Sequence, residues 1–306
     1  ALENTNFSHN NGVGGWSKFT NTTWTSAAIT AQTSGVPLSL PVTHNIPNPD
    51  SNFLPGITTL NDVLHQNGYY QTVMFGSISS YGGKQNYFLQ HGADKILDYK
   101  TAVKDNFIPE DYFTWWGFED KKLFEYAKQE LTELSKSEKP FAFTMLTADT
   151  HHIEGYKCED CENKFDNQYQ NVLRCSSKQV LEFVNWIKQQ DFYKNTTIVI
   201  VGDHLSMNAK FFRTNADKDY TRRVYNCFIN AKVTTESSKN RVFTPMDIFP
   251  TTLAALGCEI KGDRLGLGTN LFSATPTLAE KMSLEKLDNE INKASDYYYD
   301  TFIKTK

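Results

Sequence analysis

Thr196-Thr197-Ile198-Val199-Ile200-Val201-Gly202-Asp203-His204 joins a run of β-branched residues to an abrupt Gly-Asp-His ending. A continuous apolar run bounded by polar segments predicts a buried strand of a parallel sheet. In open α/β sheets, ligands bind beyond the carboxyl ends of the strands, so Asp203 and His204 stand where such a fold places its chemistry. A carboxylate beside an imidazole offers one hard and one borderline metal ligand from adjacent positions. Taken alone, the pair reads as a polar turn after a strand. The remaining sequence changes that reading.

Phe141 to Thr147 is a second strand that delivers polar residues at its carboxyl end, here Ala148-Asp149-Thr150-His151-His152. Tyr69–Phe75 and Arg222–Asn230 also read as strands. Helices are expected over Glu119–Ser135, from about Ser176 to Gln190, and over Thr244–Gly257, which has Pro near its start and Gly at its end. Strand and helix alternate, which predicts an α/β fold with a mainly parallel sheet flanked by helices. The 306 residues are 39% hydrophobic and 22% charged, enough apolar mass for a large core. A net charge of −4 gives no global basic field for nucleic acid, and no apolar run approaches a transmembrane span. Without repeats or a low-complexity linker, a single domain over 1–306 is expected. The chain opens at Ala1-Leu2-Glu3-Asn4-Thr5-Asn6-Phe7, inside sequence that already reads as folded. A targeting or membrane segment is therefore expected upstream.

Asn21 to Gly35 favours a helix ended by Gly35 and Pro37. The hydroxyls near its start can cap it. Alternatively, a helix N-terminus stabilises negative charge on a phosphate and on an ionised hydroxyl, making Thr25 or Ser26 a nucleophile. Of the five cysteines, Cys158, Cys161 and Cys175 fall close together. They lack the fourth ligand that a structural zinc site normally wants. A disulfide from Cys158 or Cys161 to Cys175, in an oxidising compartment, is expected instead. Cys227 and Cys258 read as buried, inert thiols.

A hydroxyl at a helix start, Asp-Thr-His-His after one strand and Asp-His after another together suit phosphoryl transfer. A divalent metal lowers the hydroxyl pKa and neutralises the phosphate, and histidines protonate a leaving alkoxide. The stretches Trp24-Thr25-Ser26-Ala27-Ala28-Ile29 through Gly35-Val36-Pro37-Leu38, Trp116-Gly117-Phe118-Glu119-Asp120, Asp149-Thr150-His151-His152-Ile153-Glu154-Gly155-Tyr156, Arg174-Cys175-Ser176, Val201-Gly202-Asp203-His204-Leu205-Ser206-Met207, Asp247-Ile248-Phe249-Pro250-Thr251 and Arg264-Leu265-Gly266-Leu267-Gly268 occur in order. As a set they resemble the extracytoplasmic catalytic domain of the phosphoglycerol transferase and lipoteichoic acid synthase family, within the alkaline phosphatase/sulfatase superfamily. The likeness is greatest to the branch that decorates membrane-derived oligosaccharides.

The resemblance implies an alkaline-phosphatase/sulfatase-like sheet and transfer of phosphoglycerol from phosphatidylglycerol to a glycan or polyol-phosphate acceptor. Thr25 matches the family's nucleophile, which is also a metal ligand and carries the covalent intermediate. Asp203 and His204 match further ligands of one Mn²⁺ or Zn²⁺. His151 and His152 fall where a histidine contacts the donor phosphate or protonates the leaving group. Trp116, or Trp115 in its place, falls near a tryptophan that lines the glycerol pocket. Trp116 reads equally as a core aromatic. Arg213, Arg222 and Arg223 are candidate phosphate contacts on general grounds. The resemblance further implies a domain outside the cytoplasmic membrane, tethered to it by N-terminal helices. One departure stands out. The family's fourth ligand is a glutamate ending the first strand, and Leu2-Glu3-Asn4-Thr5 looks like the residues that follow it. Glu3 is not in a strand-end context, and the sheet would lack a central strand. The same fold also serves phosphoethanolamine transfer, phosphatase or phosphodiesterase chemistry, or, in a degenerate relative, binding of glycans or lipid headgroups. A sulfatase is disfavoured because the nucleophile region has no Cys or Ser in a Cys-x-Pro-x-Arg frame.

Overall fold

A computed structural model of the chain describes residues 4–40 and 52–304; Glu3 and the Pro-rich loop over 41–51 lie outside the described residues. In chain order the main elements are β1 (Asn4–Thr5), β2 (Gly15–Trp16), α1 (Thr25–Ser34), α2 (Leu60–Gln66), β3 (Tyr70–Phe75), α3 (Lys84–Gln90), β4 (Lys95–Leu97), α4 (Tyr99–Lys104), α5 (Asp120–Leu134), β5 (Phe141–Leu146), α6 (Gln168–Lys188), β6 (Ile198–Val201), α7 (Ala209–Asn215), β7 (Val224–Ile229) and α8 (Ile248–Ala255). They separate into two compact units, one of Ala1–Val63, Asn195–Leu205 and Thr221–Lys306, the other of Leu64–Lys194 and Ser206–Tyr220.

In the first unit, β6 pairs with β7 in register Ile198↔Ile229 to Val201↔Asn226, and the pairing is antiparallel. The strand that opens the sequence reading is thus corrected on two points. Its described pairing is antiparallel, and its four residues are half-buried. β1 and β2 also pair antiparallel with β7. The core behind β7 is aromatic: Phe7, Phe228 and Phe272 meet edge to face at centroid distances of 5.1 to 5.7 Å. Trp16, Phe243, Ile248 and Leu271 complete it. α1 buries Ala27, Ala28 and Ala31, small side chains that let a helix pack closely. Gly35 ends it with φ 70, in the left-handed conformation that glycine adopts without a Cβ penalty. Gly202 follows β6 where a Cβ would lie 2.8 Å from Val224 Cγ1. Gly202→Ala should therefore cost ~1–3 kcal/mol through overpacking, read as a lower unfolding midpoint. An unchanged midpoint would show that Val224 yields without cost.

The second unit holds the parallel sheet, in order β4-β3-β5. β3 and β5 run in register from Tyr70↔Phe141 to Phe75↔Leu146, and β3 is buried from its second residue onward. α5 buries Leu123, Phe124, Ala127, Leu131 and Leu134, a 3–4 residue spacing that makes one apolar face. Phe124 meets Phe183 of α6 at 5.1 Å. α6 starts at Gln168, well before the expected Ser176. Asn167 caps it by accepting from the Gln170 N–H, and Tyr169, Val172 and Cys175 then form its buried face. Asn167 is the polar start signal that marks this earlier beginning. Cys161 and Cys175 are joined by a disulfide that links the loop before α6 to the helix, while Cys158 is free. Cys227 is buried in β7, but Cys258 is exposed, contrary to expectation. Gly257 at φ 92 turns the chain just past α8, immediately ahead of it.

Candidate active site

The hydroxyls at the start of α1 do not cap the helix. Trp24 occupies the N-cap position and no side chain caps the turn. Thr25 is the first helical residue, and its Oγ1 donates instead to Asp203 Oδ2 at 3.1 Å. The Asp203 side chain is fixed from the other side, because Oδ1 accepts the His204 N–H at 2.8 Å. His204 Nδ1 lies 3.0 Å from the Leu205 carbonyl. That carbonyl can only accept, so Nδ1 carries the proton and Nε2 presents its lone pair. Nε2 is 3.3 Å from Asp203 Oδ2. A hydroxyl oxygen and an imidazole nitrogen therefore both approach one carboxylate oxygen in the first unit.

This donor set suits Mn²⁺ or Zn²⁺. The spacings of 3.1 and 3.3 Å match the ~3–3.4 Å between donors that metal bonds of ~2.1 Å impose. The residues present thus fit the ion. Among the described residues, no third His, Cys, Asp or Glu joins Asp203 and His204 in a ligand cluster; the cluster of that kind is Cys158, Cys161 and Cys175.

The second unit gathers the other sequence candidates. Trp115 has φ 62 and its indole N–H donates to the Ala148 carbonyl at 3.1 Å. Trp116 is 43% exposed, against the core reading. Its ring meets the His151 ring edge-on at 4.9 Å, and His151 stacks on His152 at 4.8 Å. His151 Nδ1 is 2.8 Å from the His152 carbonyl, so Nδ1 carries a proton there. Tyr169, buried in α6, donates to the Thr150 carbonyl at 2.9 Å and lies 2.7 Å from Ser206 Oγ. Arg213 lies in the last turn of α7 and is exposed.

The sulfatase family model matches residues 8–258. The chain belongs to the sulfatase family. This sulfatase-family chain is 35% identical over 196 residues to phosphoglycerol transferase I of Citrobacter koseri, covering 61% of the chain and 25% of that protein. It thus spans about a quarter of the length of the curated relatives it matches. Among solved structures, it is similar to the lipoteichoic acid synthase LtaP of Listeria monocytogenes, with TM-score 0.66 and 18% identity over 88% of this chain and 67% of that one. It is also similar to the Streptococcus pyogenes phosphoglycerol transferase GacH in complex with sn-glycerol-1-phosphate, with TM-score 0.58 and 14% identity over 96% and 77%. These likenesses are of fold, the alkaline phosphatase superfamily fold.

Two supports of the candidate residues, one in each unit, escaped the sequence. Gln32, on the buried side of α1, donates its amide to the carbonyls of Gly202 (2.9 Å) and Asp203 (3.3 Å). It holds the backbone that carries the metal-ligand candidates, and its only signal was a polar residue among alanines and hydroxyls. Asp120 and Asp149 form the second support. Asp120 accepts the backbone N–H groups of Ala148 and Asp149 at 2.7 and 3.0 Å, and Asp149 Oδ1 accepts the Asp120 N–H at 3.1 Å. The pair fixes the strand-end turn that leads to His151. Burial raises both carboxyls. Burial and the Asp120 charge push Asp149 up to about 8, against the lowering effect of the Asp120 N–H.

An acid whose folded pKa is raised holds its proton more tightly when folded. Its stabilising contribution is complete below the ordinary 3.8 and is lost as pH rises through about 8. The unfolding midpoint should thus fall between about pH 4 and about pH 8. Asp149→Asn, which keeps the carbonyl acceptor and cannot ionise, should flatten that fall. An equally steep fall in the variant would show that Asp149 is not its source.

Proposed function

We propose that this chain is the catalytic part of a metal-dependent phosphotransferase that moves phosphoglycerol from phosphatidylglycerol to an extracytoplasmic glycan or polyol-phosphate acceptor through a phospho-threonine at Thr25. The observation that carries the reading is Thr25 Oγ1 at the start of α1, 3.1 Å from Asp203 Oδ2, with His204 Nε2 3.3 Å from the same oxygen. Phosphoglycerol transferase I as a relative supports the substrate class. The Cys161–Cys175 disulfide supports an oxidising, extracytoplasmic location. Tethering to the membrane belongs to the same proposal; no helix among the described residues is long and apolar enough to cross a bilayer.

Thr25, Asp203 and His204 would hold the divalent ion. When bound, it lowers the hydroxyl pKa and neutralises phosphate charge. Asp203 orients the Thr25 hydroxyl and accepts its hydrogen bond. The dipole of α1 favours negative charge at its N-terminus, where Thr25 is the first helical residue. Thr25 Oγ1 attacks phosphorus, a P–O bond to threonine forms, and the bond to the diacylglycerol oxygen breaks. The Thr25 hydroxyl gives up one proton in the attack and the leaving oxygen takes one up, so the step balances. The acceptor hydroxyl then attacks, loses its proton, and breaks the P–O bond to Thr25. His151 and His152 are the candidates for phosphate contact or for protonating the leaving oxygen. Trp116, Trp115 and Arg213 are candidates for headgroup binding.

The test is headgroup choice. With Mn²⁺ or Zn²⁺ added, the protein should release diacylglycerol from phosphatidylglycerol at least ~10-fold faster than from phosphatidylethanolamine, a loss of one good polar contact. Preference for phosphatidylethanolamine would assign the neighbouring transferase class. Release of free glycerol phosphate with no transfer to any added glycan would assign a phosphodiesterase.

A further inference from the structure

Three sulfurs meet in the second unit, in a cluster to which no role has been given above. Cys158, Cys161 and Cys175 are all buried, with their Sγ atoms within 4.8 Å of one another. Cys161 is bonded to Cys175. Its other neighbour is the free Cys158 Sγ at 3.3 Å. The Cys-Glu-Asp-Cys turn creates that approach, since the Cys161 N–H donates to the Cys158 carbonyl at 3.1 Å and folds the two side chains to one side. Gln179 of α6 donates to Cys158 Sγ at 3.6 Å, and Tyr156 packs over the cluster. A buried thiol 3.3 Å from one sulfur of a disulfide is within reach of a thiol–disulfide exchange, once its side chain turns into line with the bond it attacks.

We propose that the three cysteines form one exchange site, in which Cys158 replaces Cys175 as the partner of Cys161. The Cys158 thiolate attacks Cys161 Sγ. The Cys158–Cys161 bond forms, the Cys161–Cys175 bond breaks, and Cys175 leaves as a thiolate that takes up the proton Cys158 gave up. One disulfide and one thiol stand on each side, so no oxidant or reductant is consumed. The structural effect is local. In one isomer the loop is stapled to the eighth residue of α6; in the other the staple closes within the Cys-x-x-Cys turn and α6 is released from it. Lys121 then remains as the loop's tether to α5, through Glu159 at 2.6 Å and Asp160 at 2.9 Å. Those pairs are exposed and weak. Gln168 and Tyr169 still hold the preceding segment, at Glu154, Gly155 and Thr150. Burial raises the Cys158 thiol, which makes the exchange slow beside that of an exposed thiolate.

The test needs no knowledge of the reaction. The native protein, purified in air, is incubated with iodoacetamide, quenched with acid and mapped without reduction. Cys258, exposed, reports reagent access, and Cys227, buried, reports global opening. Label should appear on Cys175 over time in the wild type and fall to background in Cys158→Ser, which retains the Cys161–Cys175 bond. In Cys175→Ser, Cys158 and Cys161 should be found joined, leaving Cys227 and Cys258 as the free thiols. Absence of label on Cys175 in the wild type would overturn the proposal, as would equal labelling in Cys158→Ser. If Cys175→Ser does not fold, the Cys158→Ser comparison decides.

Discussion

Thr25→Ala should lower donor cleavage by at least ~10³-fold, the usual consequence of removing a nucleophile whose intermediate is covalent. The fold should be nearly unaffected. Thr25 is half-buried, caps nothing, and loses one hydrogen bond, to Asp203 Oδ2, worth about 1 kcal/mol. Thr25→Ser keeps an oxygen in place and should retain measurable turnover, reduced because the hydroxyl loses the rotamer restriction of a β-branched side chain. The ordering wild type, then Ser, then Ala, with unfolding midpoints within a few degrees of one another, separates a nucleophile from a structural hydroxyl. Activity retained in Thr25→Ala would assign the attack to another group.

The second large effect is on metal retention. Asp203 Oδ2 is the atom that both Thr25 Oγ1 and His204 Nε2 approach, so neutralising it removes the set's anionic donor. Asp203→Asn should weaken Mn²⁺ or Zn²⁺ binding by at least ~100-fold, since even groups that merely orient ligands cost ~10–100-fold. The amide oxygen can still accept the His204 N–H, so the turn after β6 should persist. His204→Ala should act in the same direction. Calorimetric titration measures the affinity. The unfolding midpoint with and without metal measures it independently, because a ligand that binds only the folded state raises it. Wild-type affinity in Asp203→Asn would remove the ion from this place. Gln32, which grips the Gly202 and Asp203 carbonyls, is a weaker lever on the same property.

The strand ending in Gly-Asp-His was legible because chemistry and secondary structure coincide there: an apolar run, a glycine with no room for a Cβ, then two ligand types. Thr25 was legible as one of two hydroxyls at a helix start, but only the fold shows that its partner is a carboxylate 178 positions later. Strand direction was less legible. β6 reads as a buried parallel strand by hydrophobicity alone, yet it lies half-buried against antiparallel β7; apolar runs do not encode the direction of their neighbour. The start of α6 was set too late because the cysteine loop masked the Asn167 cap. The cysteine trio was visible by spacing, but spacing leaves Cys158 and Cys161 equivalent as partners of Cys175, and only the fold joins Cys161. The Asp120–Asp149 pair is not legible in the sequence, since reciprocal carboxylate–amide bonding between residues 29 apart has no sequence period.

The most direct measurement is capture of the covalent intermediate. The protein is mixed with Mn²⁺ and a phosphatidylglycerol analogue, without acceptor, quenched in acid and digested, and the peptide containing Thr25 is sequenced by mass spectrometry. A phosphoglycerol adduct on Thr25, absent from Thr25→Ala and absent without metal, is the predicted result. Donor cleavage with no adduct on Thr25, or an adduct on any other residue, would contradict it.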